Sequence, residues 1–168
     1  MIRHIIDPRL AAVVSPGISY RWIDVNETVS IGIWHYYLHE HSWGWRYTKV
    51  VRAVDEIRKA YFAVGAFAEE GSKLVGAACI NPQASPDGID NGQLWLADFV
   101  VAPEYRTSVI AYALYKMCMS YALSRPERIF MSMENQDVRR IMPILGWKVL
   151  RESTNEIGDP TTIIEYPR

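Results

Sequence analysis

The spacing of polar and apolar residues changes period several times along the chain, and each change marks an element. ISYRWID at 18–24 alternates in character and predicts a first strand. Asn26 stands as an N-cap behind it, with Val29, Ile33, Tyr36 and Tyr37 at helical spacing. Trp43-Gly44-Trp45 breaks that helix, and a second helical stretch covers 49–59 with Val50, Val54 and Ile57 on one face. Then the period shortens. Runs of small apolar residues at 61–68 and 73–80 flank Glu69-Glu70-Gly71-Ser72, a hairpin signal. Prolines and glycines make 81–93 a loop.

A third apolar run, 94–101, passes through Ala102-Pro103 into a helix over 108–123 that stops near Arg125-Pro126. A strand at 128–133, a short helix at 137–145 ended by Gly146, and closing strands at 147–151 and 161–166 complete the order. Alternation of this kind predicts an α/β domain built on a central mixed sheet with helices on both faces. The long helix between 94–101 and 128–133 makes those strands parallel neighbours through a right-handed crossover. At 168 residues, with no internal repeat, the chain reads as one domain over 18–168 preceded by an N-terminal arm, 1–17.

Composition narrows the function classes. A hydrophobic fraction of 49% with 22% charged residues is that of an ordinary globular domain. A net charge of −1 argues against wholesale binding to nucleic acid or membrane. Arg3, His4, Asp7 and Arg9 interrupt the N-terminal apolar residues, and no run approaches the ~20 needed to span a bilayer. The expectation is a soluble cytoplasmic protein. Cys79 and Cys118 lie in apolar surroundings without disulfide spacing and read as reduced core residues. Six Trp and ten Tyr are many for this length, and they crowd into 34–47. His35 and His39 in that stretch share a helix face, with Glu40 and His41 adjacent. No third ligand stands at a recognisable spacing, so no metal site is expected.

Two segments carry more. They are DFVVAPEYRTSVIAYAL and NQDVRRIMPILGW, in this order, and the first resembles the strand, Val-x-Pro-x-x-Arg turn and cofactor helix of the GNAT family of acyl-CoA N-acyltransferases. The second segment resembles that family's later Asn turn, short helix and closing Gly-aromatic pair. The resemblance implies a single GNAT-like domain whose parallel strands 94–101 and 128–133 splay apart around acetyl-CoA or another acyl-CoA. It implies that Phe99, Val100 and Val101 offer backbone to the pantetheine. Arg106, Thr107, Ser108, Val109, Ile110 and Ala111 would then hold the pyrophosphate, with Asn135 on the opposite strand's turn. The family favours glycine where Thr107, Val109 and Ala111 stand, although Arg-x-Ser also resembles the turn of phage-encoded members. Asp98 matches an acidic position near the attacking amine and reads either as a general base or, by strand alternation, as a solvent-facing or salt-bridged acid. The family's tyrosine acid falls on Met142, which has no proton to give, and Pro143 follows it.

Two functions follow from the resemblance. One is an acyl-CoA-dependent N-acyltransferase acting on an amine, its acceptor walled by the aromatic residues of 34–47. The other is a catalytically degenerate GNAT-fold protein serving as a structural or interaction module, such as a phage virion component. Helix 109–123 bears on both, because Lys116 is its one charged residue. Its expected outer positions, Val109, Ala113, Lys116 and Ser120 flanked by Tyr112 and Met119, predict a covering layer: a partner, a second copy of the chain, or the N-terminal arm 1–17.

Overall fold

In the computed structural model, residues 17–43, 57–106, 108–133, 136–155 and 158–168 are described. The arm as far as residue 16, most of the second helical stretch, Thr107 and Asn135 lie outside them. Seven strands form one sheet: β1 (Ser19–Trp22), β2 (Phe62–Ala68), β3 (Lys73–Asn81), β4 (Leu94–Val101), β5 (Ile129–Met133), β6 (Lys148–Thr154) and β7 (Pro160–Tyr166). Their order is β1-β2-β3-β4-β5-β7-β6, antiparallel throughout except for the parallel pair β4–β5. β2 and almost all of β3 are buried, as small apolar runs must be when both faces of a sheet are covered.

Among the described residues the helices that cover it are α1 (Thr28–Leu38, continued by a π turn over His39–Trp43), α2 (Ser108–Leu123) and α3 (Gln136–Ile141). α2 buries Ile110, Leu114, Cys118 and Ala122 against Val64, Val75, Leu96 and Val101. On the opposite face α1 buries Ile31, Trp34 and Leu38 against Ala77, Cys79 and Val100. Trp95 and Phe130 stack at 5.2 Å beside Ile163, where β4 and β5 are still paired.

The structure corrects three expectations. The helix cap is Glu27 rather than Asn26, and the buried stripe of α1 is Ser30, Ile31, Trp34, His35 and Leu38. Of the residues at helical spacing, Val29 and Tyr36 are exposed, because apolar residues all round this helix leave its period unable to choose a face. Met119, expected on the outer side of α2, is buried in the core, whereas Tyr112 is exposed. The third helix stops at Ile141 rather than Leu145, since Pro143 has no N–H to continue it and residues 142–146 turn. That shortening is matched by a longer β6, which runs to Thr154.

α1 is fixed to the sheet edge by charge. Arg21 on β1 donates to both carboxylate oxygens of Glu27, at 2.8 and 3.1 Å. Ser30 Oγ and the Asp24 amide also donate to that carboxylate, at 2.9 and 3.2 Å. The Arg21 bond leads these in holding Glu27 down to about 2. A folded-state value below the unfolded one stabilises the fold at high pH and loses that stabilisation as pH falls. Glu27→Gln is therefore expected to flatten the acid limb of stability between roughly pH 4.3, the unfolded value, and about 2. Urea titrations across that window measure it; equal slopes in both proteins would refute the assignment.

Close packing of the sheet gives a second expectation. A methyl on Gly65 would lie 2.7 Å from Phe67 Cε2, 2.8 Å from Leu74 Cδ1 and 2.9 Å from Ile23 Cδ1. Gly65→Ala should cost about 1–3 kcal/mol, seen as a lower urea midpoint at unchanged slope.

Candidate active site

β4 and β5 pair only at Leu94–Ile129 and Trp95–Phe130, although the strands continue to Val101 and Met133. Beyond Trp95 a gap opens between them. Which main-chain groups face it is decided by one extra residue. Opposite Ala77–Cys79 of β3, β4 has Val100 and Ala97 with Asp98 and Phe99 between them, where the regular ladder would place a single residue. The Leu94 amide bonds the Arg128 carbonyl on the β5 side, so alternation turns Leu94 and Leu96 toward β5. The Ala102 amide bonds the Val75 carbonyl, so Ala102 and Val100 face β3 and Val101 and Phe99 face the gap. Without the bulge, Phe99 and Val101 would point at β3.

The bulge residue is Asp98, whose φ of 52° is left-handed, unlike that of any other β4 residue. Its carbonyl accepts the indole N–H of Trp34 at 2.8 Å. The Cys79 thiol, on the same α1 face, lies 3.4 Å from Asp98 Oδ2 and 3.6 Å from the Ala97 carbonyl. Burial, then the Asp98 charge, pushes the Cys79 thiol well up, so it stays a protonated donor to that carboxylate. Asp98 is half-buried.

At the open end of the gap, Pro103–Tyr105 makes a 3₁₀ turn closed by Tyr105 N–H to Ala102 O and Arg106 N–H to Pro103 O. Arg106 is exposed; its Nε donates to the Val101 carbonyl at 3.2 Å and Nη2 reaches the His41 carbonyl at 3.5 Å. α2 starts at Ser108, with Val109 and Ala111 half-buried and the Ile110 side chain in the core. Phe99, half-buried, and Val101 pack on the α2 face, and Val100 packs on the α1 face. Thr107 and Asn135 are outside the described residues.

Met142 is half-buried and lines a cavity of about 100 Å³ with Met133, Pro143 and Trp147. The Trp147 indole donates to the Tyr115 phenol at 2.9 Å, joining α2 to the start of β6. At the closed end of the gap, loop 82–93 is held to β6. Arg151 donates to Asp87 at 3.0 and 3.1 Å and to Asp90 at 2.7 Å, and Ser153 Oγ joins Asp87 at 2.9 Å. His35 and His39 are buried with ring centroids 6.0 Å apart, and burial lowers His35. Among the described residues, no group of three or more His, Cys, Asp or Glu is placed to hold a metal ion. Nor is any described helix long and apolar enough to cross a membrane.

A family model described as "Acetyltransferase (GNAT) family" matches residues 26–146, most of the chain. The chain belongs to the GNAT family. Solved structures agree with its fold. An acyl-CoA N-acyltransferase from Pseudomonas aeruginosa superposes with a TM-score of 0.68 at 11% identity, over 89% of this chain and 99% of that one. NAA60 of Arabidopsis thaliana, in complex with a bisubstrate analogue, gives 0.63 at 14% identity, over 89% and 97%. Naa50 of the same plant, in complex with CoA-Ac-MVNAL, gives 0.63 at 14%, over 90% and 99%. At these identities the likeness is one of fold. A search of curated proteins finds no sequence match.

Within this GNAT domain, sequence spacing did not single out the contacts of Trp34 and Cys79 with Asp98, nor that of Tyr115 with Trp147. Each meets its partner across many residues of chain, which no local period records. Trp34 alone had a signal, as a member of the aromatic cluster 34–47. Burial gives a direct expectation for the thiols: Cys79 and Cys118 are both free, buried and pushed up by desolvation. Neither should react with a colorimetric disulfide reagent in the native protein, and both should react once guanidinium is added. A stoichiometric burst from the native protein would contradict the placement of these side chains.

Proposed function

We propose that the chain is an acyl-CoA-dependent N-acyltransferase, with acetyl-CoA as the natural donor and an amine as acceptor. The observation that carries this reading is the unpaired gap beyond Trp95, into which the bulge turns the backbone of Phe99 and Val101 with the Asp98 carboxylate on its α1 side. A pantetheine arm fits such a gap because it can bond strand backbone as a missing β neighbour would. The amides of Arg106, Ser108, Val109, Ile110 and Ala111 then meet the pyrophosphate at the start of α2, and the family resemblance adds Thr107 and Asn135 to that set. Arg106 is exposed and bound to main-chain carbonyls, so it can exchange those for a phosphate. Asp98 takes the amine proton as the amine nitrogen bonds the thioester carbon. The carbon–sulfur bond then breaks, and the CoA thiolate is protonated from water, because Met142 supplies no acid.

Structures of Arabidopsis NAA60 with acetyl-CoA and of Naa50 with CoA-Ac-MVNAL support acetyl-CoA as donor and set the first acceptors to try. Met142 and the β-branched Val109 favour the second reading, a GNAT-fold binding module without turnover. The two readings part on simple measurements. Acetyl-CoA at ~100 times its Kd should stabilise the fold by about 2.7 kcal/mol. CoA release should then be seen with at least one member of an amine panel spanning peptide N-termini, lysine peptides and polyamines. Asp98→Asn should keep the stabilisation and lose roughly 10²–10⁴-fold in turnover. Stabilisation without any CoA release leaves the binding module, and no stabilisation at millimolar acetyl-CoA sinks the donor assignment.

A further inference from the structure

Side chains along β5 alternate between the two faces of the sheet, and the core tells the faces apart. Ile129, Met131 and Met133 pack on the α2 face, whereas Phe130 stacks on Trp95 on the other. That other face is the one α1 covers, since Ala97, two residues beyond Trp95 on β4, packs on the α1 cluster. Ser132 follows Phe130 by two residues and stands on the same side. Asp98 is there too, its carboxylate against Cys79 of the α1 cluster.

The register brings these two polar side chains to one level. Leu94 pairs with Ile129 and Trp95 with Phe130, so continuing the ladder sets Ser132 opposite Ala97, one residue short of Asp98. A carboxylate and a hydroxyl thus flank the gap where it starts to widen, one on each strand, and both residues are half-buried. The buried Trp95–Phe130 stack closes the inner end behind them. Among the described residues the Ser132 hydroxyl has no hydrogen-bond partner. The spacing suits a single nitrogen. Neighbouring strands lie about 4.8 Å apart. A nitrogen donating at about 2.9 Å to two oxygens in tetrahedral directions holds those oxygens about 4.7 Å apart.

We propose that Ser132 is a further catalytic residue: its hydroxyl oxygen accepts one N–H of the attacking amine while the Asp98 carboxylate accepts the other. This rests on the acyltransferase reading above. With both N–H groups held, the nitrogen lone pair is left pointing into the gap, and the rest of the acceptor leaves on the α1 side. The carbon–nitrogen bond forms, the carbon–sulfur bond breaks and the proton passes to Asp98; Ser132 neither gains nor loses one. Positive charge grows on the nitrogen during attack, so its bond to Ser132 is stronger in the transition state than before it.

The test compares wild-type protein, Ser132→Ala and Ser132→Thr on whichever primary amine the panel yields and on its N-methyl derivative, which has one N–H to give. Ser132→Ala should lose roughly 10–100-fold in kcat/KM on the primary amine and stay within about threefold on the methylated one, so the preference between them collapses. Ser132→Thr, which keeps the hydroxyl, should retain that preference. Acetyl-CoA affinity, read by calorimetry, should be within about threefold in all three proteins. If Ser132→Ala fails to fold by circular dichroism, Ser132→Cys, whose sulfur is a weak acceptor, replaces it. A loss equal on the two amines, or no loss, overturns the role of Ser132 while leaving the activity standing. Wild-type protein that binds no acetyl-CoA, or binds it and turns over no amine, overturns the activity and this role together.

Discussion

One residue more in β4 than the facing stretch of β3 accommodates reverses the direction of every main-chain group from Phe99 onward. Strand pairing with β3 continues on both sides of the insertion, so the sheet survives it. The free edge beyond does not stay the same edge: it presents Phe99 and Val101 instead of Asp98 and Val100. Everything at the candidate site follows from this. The gap exists because β4 and β5 stop pairing after Trp95–Phe130, and its chemistry is set by which amides look into it. The left-handed backbone at Asp98 is the local cost, met by a helix on one face and a thiol on the same side.

The elements around the gap were readable from local chemistry. β4 is a bounded apolar run, Pro103 starts the turn, and α2 spans the residues its apolar run and Arg125-Pro126 imply. What failed to show was orientation. α1 and α2 are apolar nearly all round, so periodicity could not tell which residues face the sheet, and packing leaves Val29 exposed and Met119 buried. The bulge was hidden for another reason. A left-handed position usually advertises itself with glycine or asparagine, and here an aspartate occupies it. Its supports, Trp34 and Cys79, are 64 and 19 residues away along the chain, beyond any local pattern.

The Asp98 carboxylate has a particular setting on β4. It is half-buried with a protonated thiol as donor at 3.4 Å, in a place where its partners are fixed by the core. Cys79 can serve because burial keeps its proton in place; a serine would donate more strongly and hold the carboxylate more tightly.

The sheet is, mechanically, two leaves. β1 to β4 form one and β5 to β7 the other, and only two facing residue pairs of strand join them. Below that short seam α2 ties the leaves together as well, packing on residues of both and accepting the Trp147 indole at the Tyr115 phenol. Arg151 stands across it: rooted in β6 at the far margin of the second leaf, it grips Asp87 and Asp90 in the loop that belongs to the first. The three charges act as a hasp: where main-chain pairing is down to two residue pairs, side-chain charge carries the join at the closed end, and the open end is left without one of its kind.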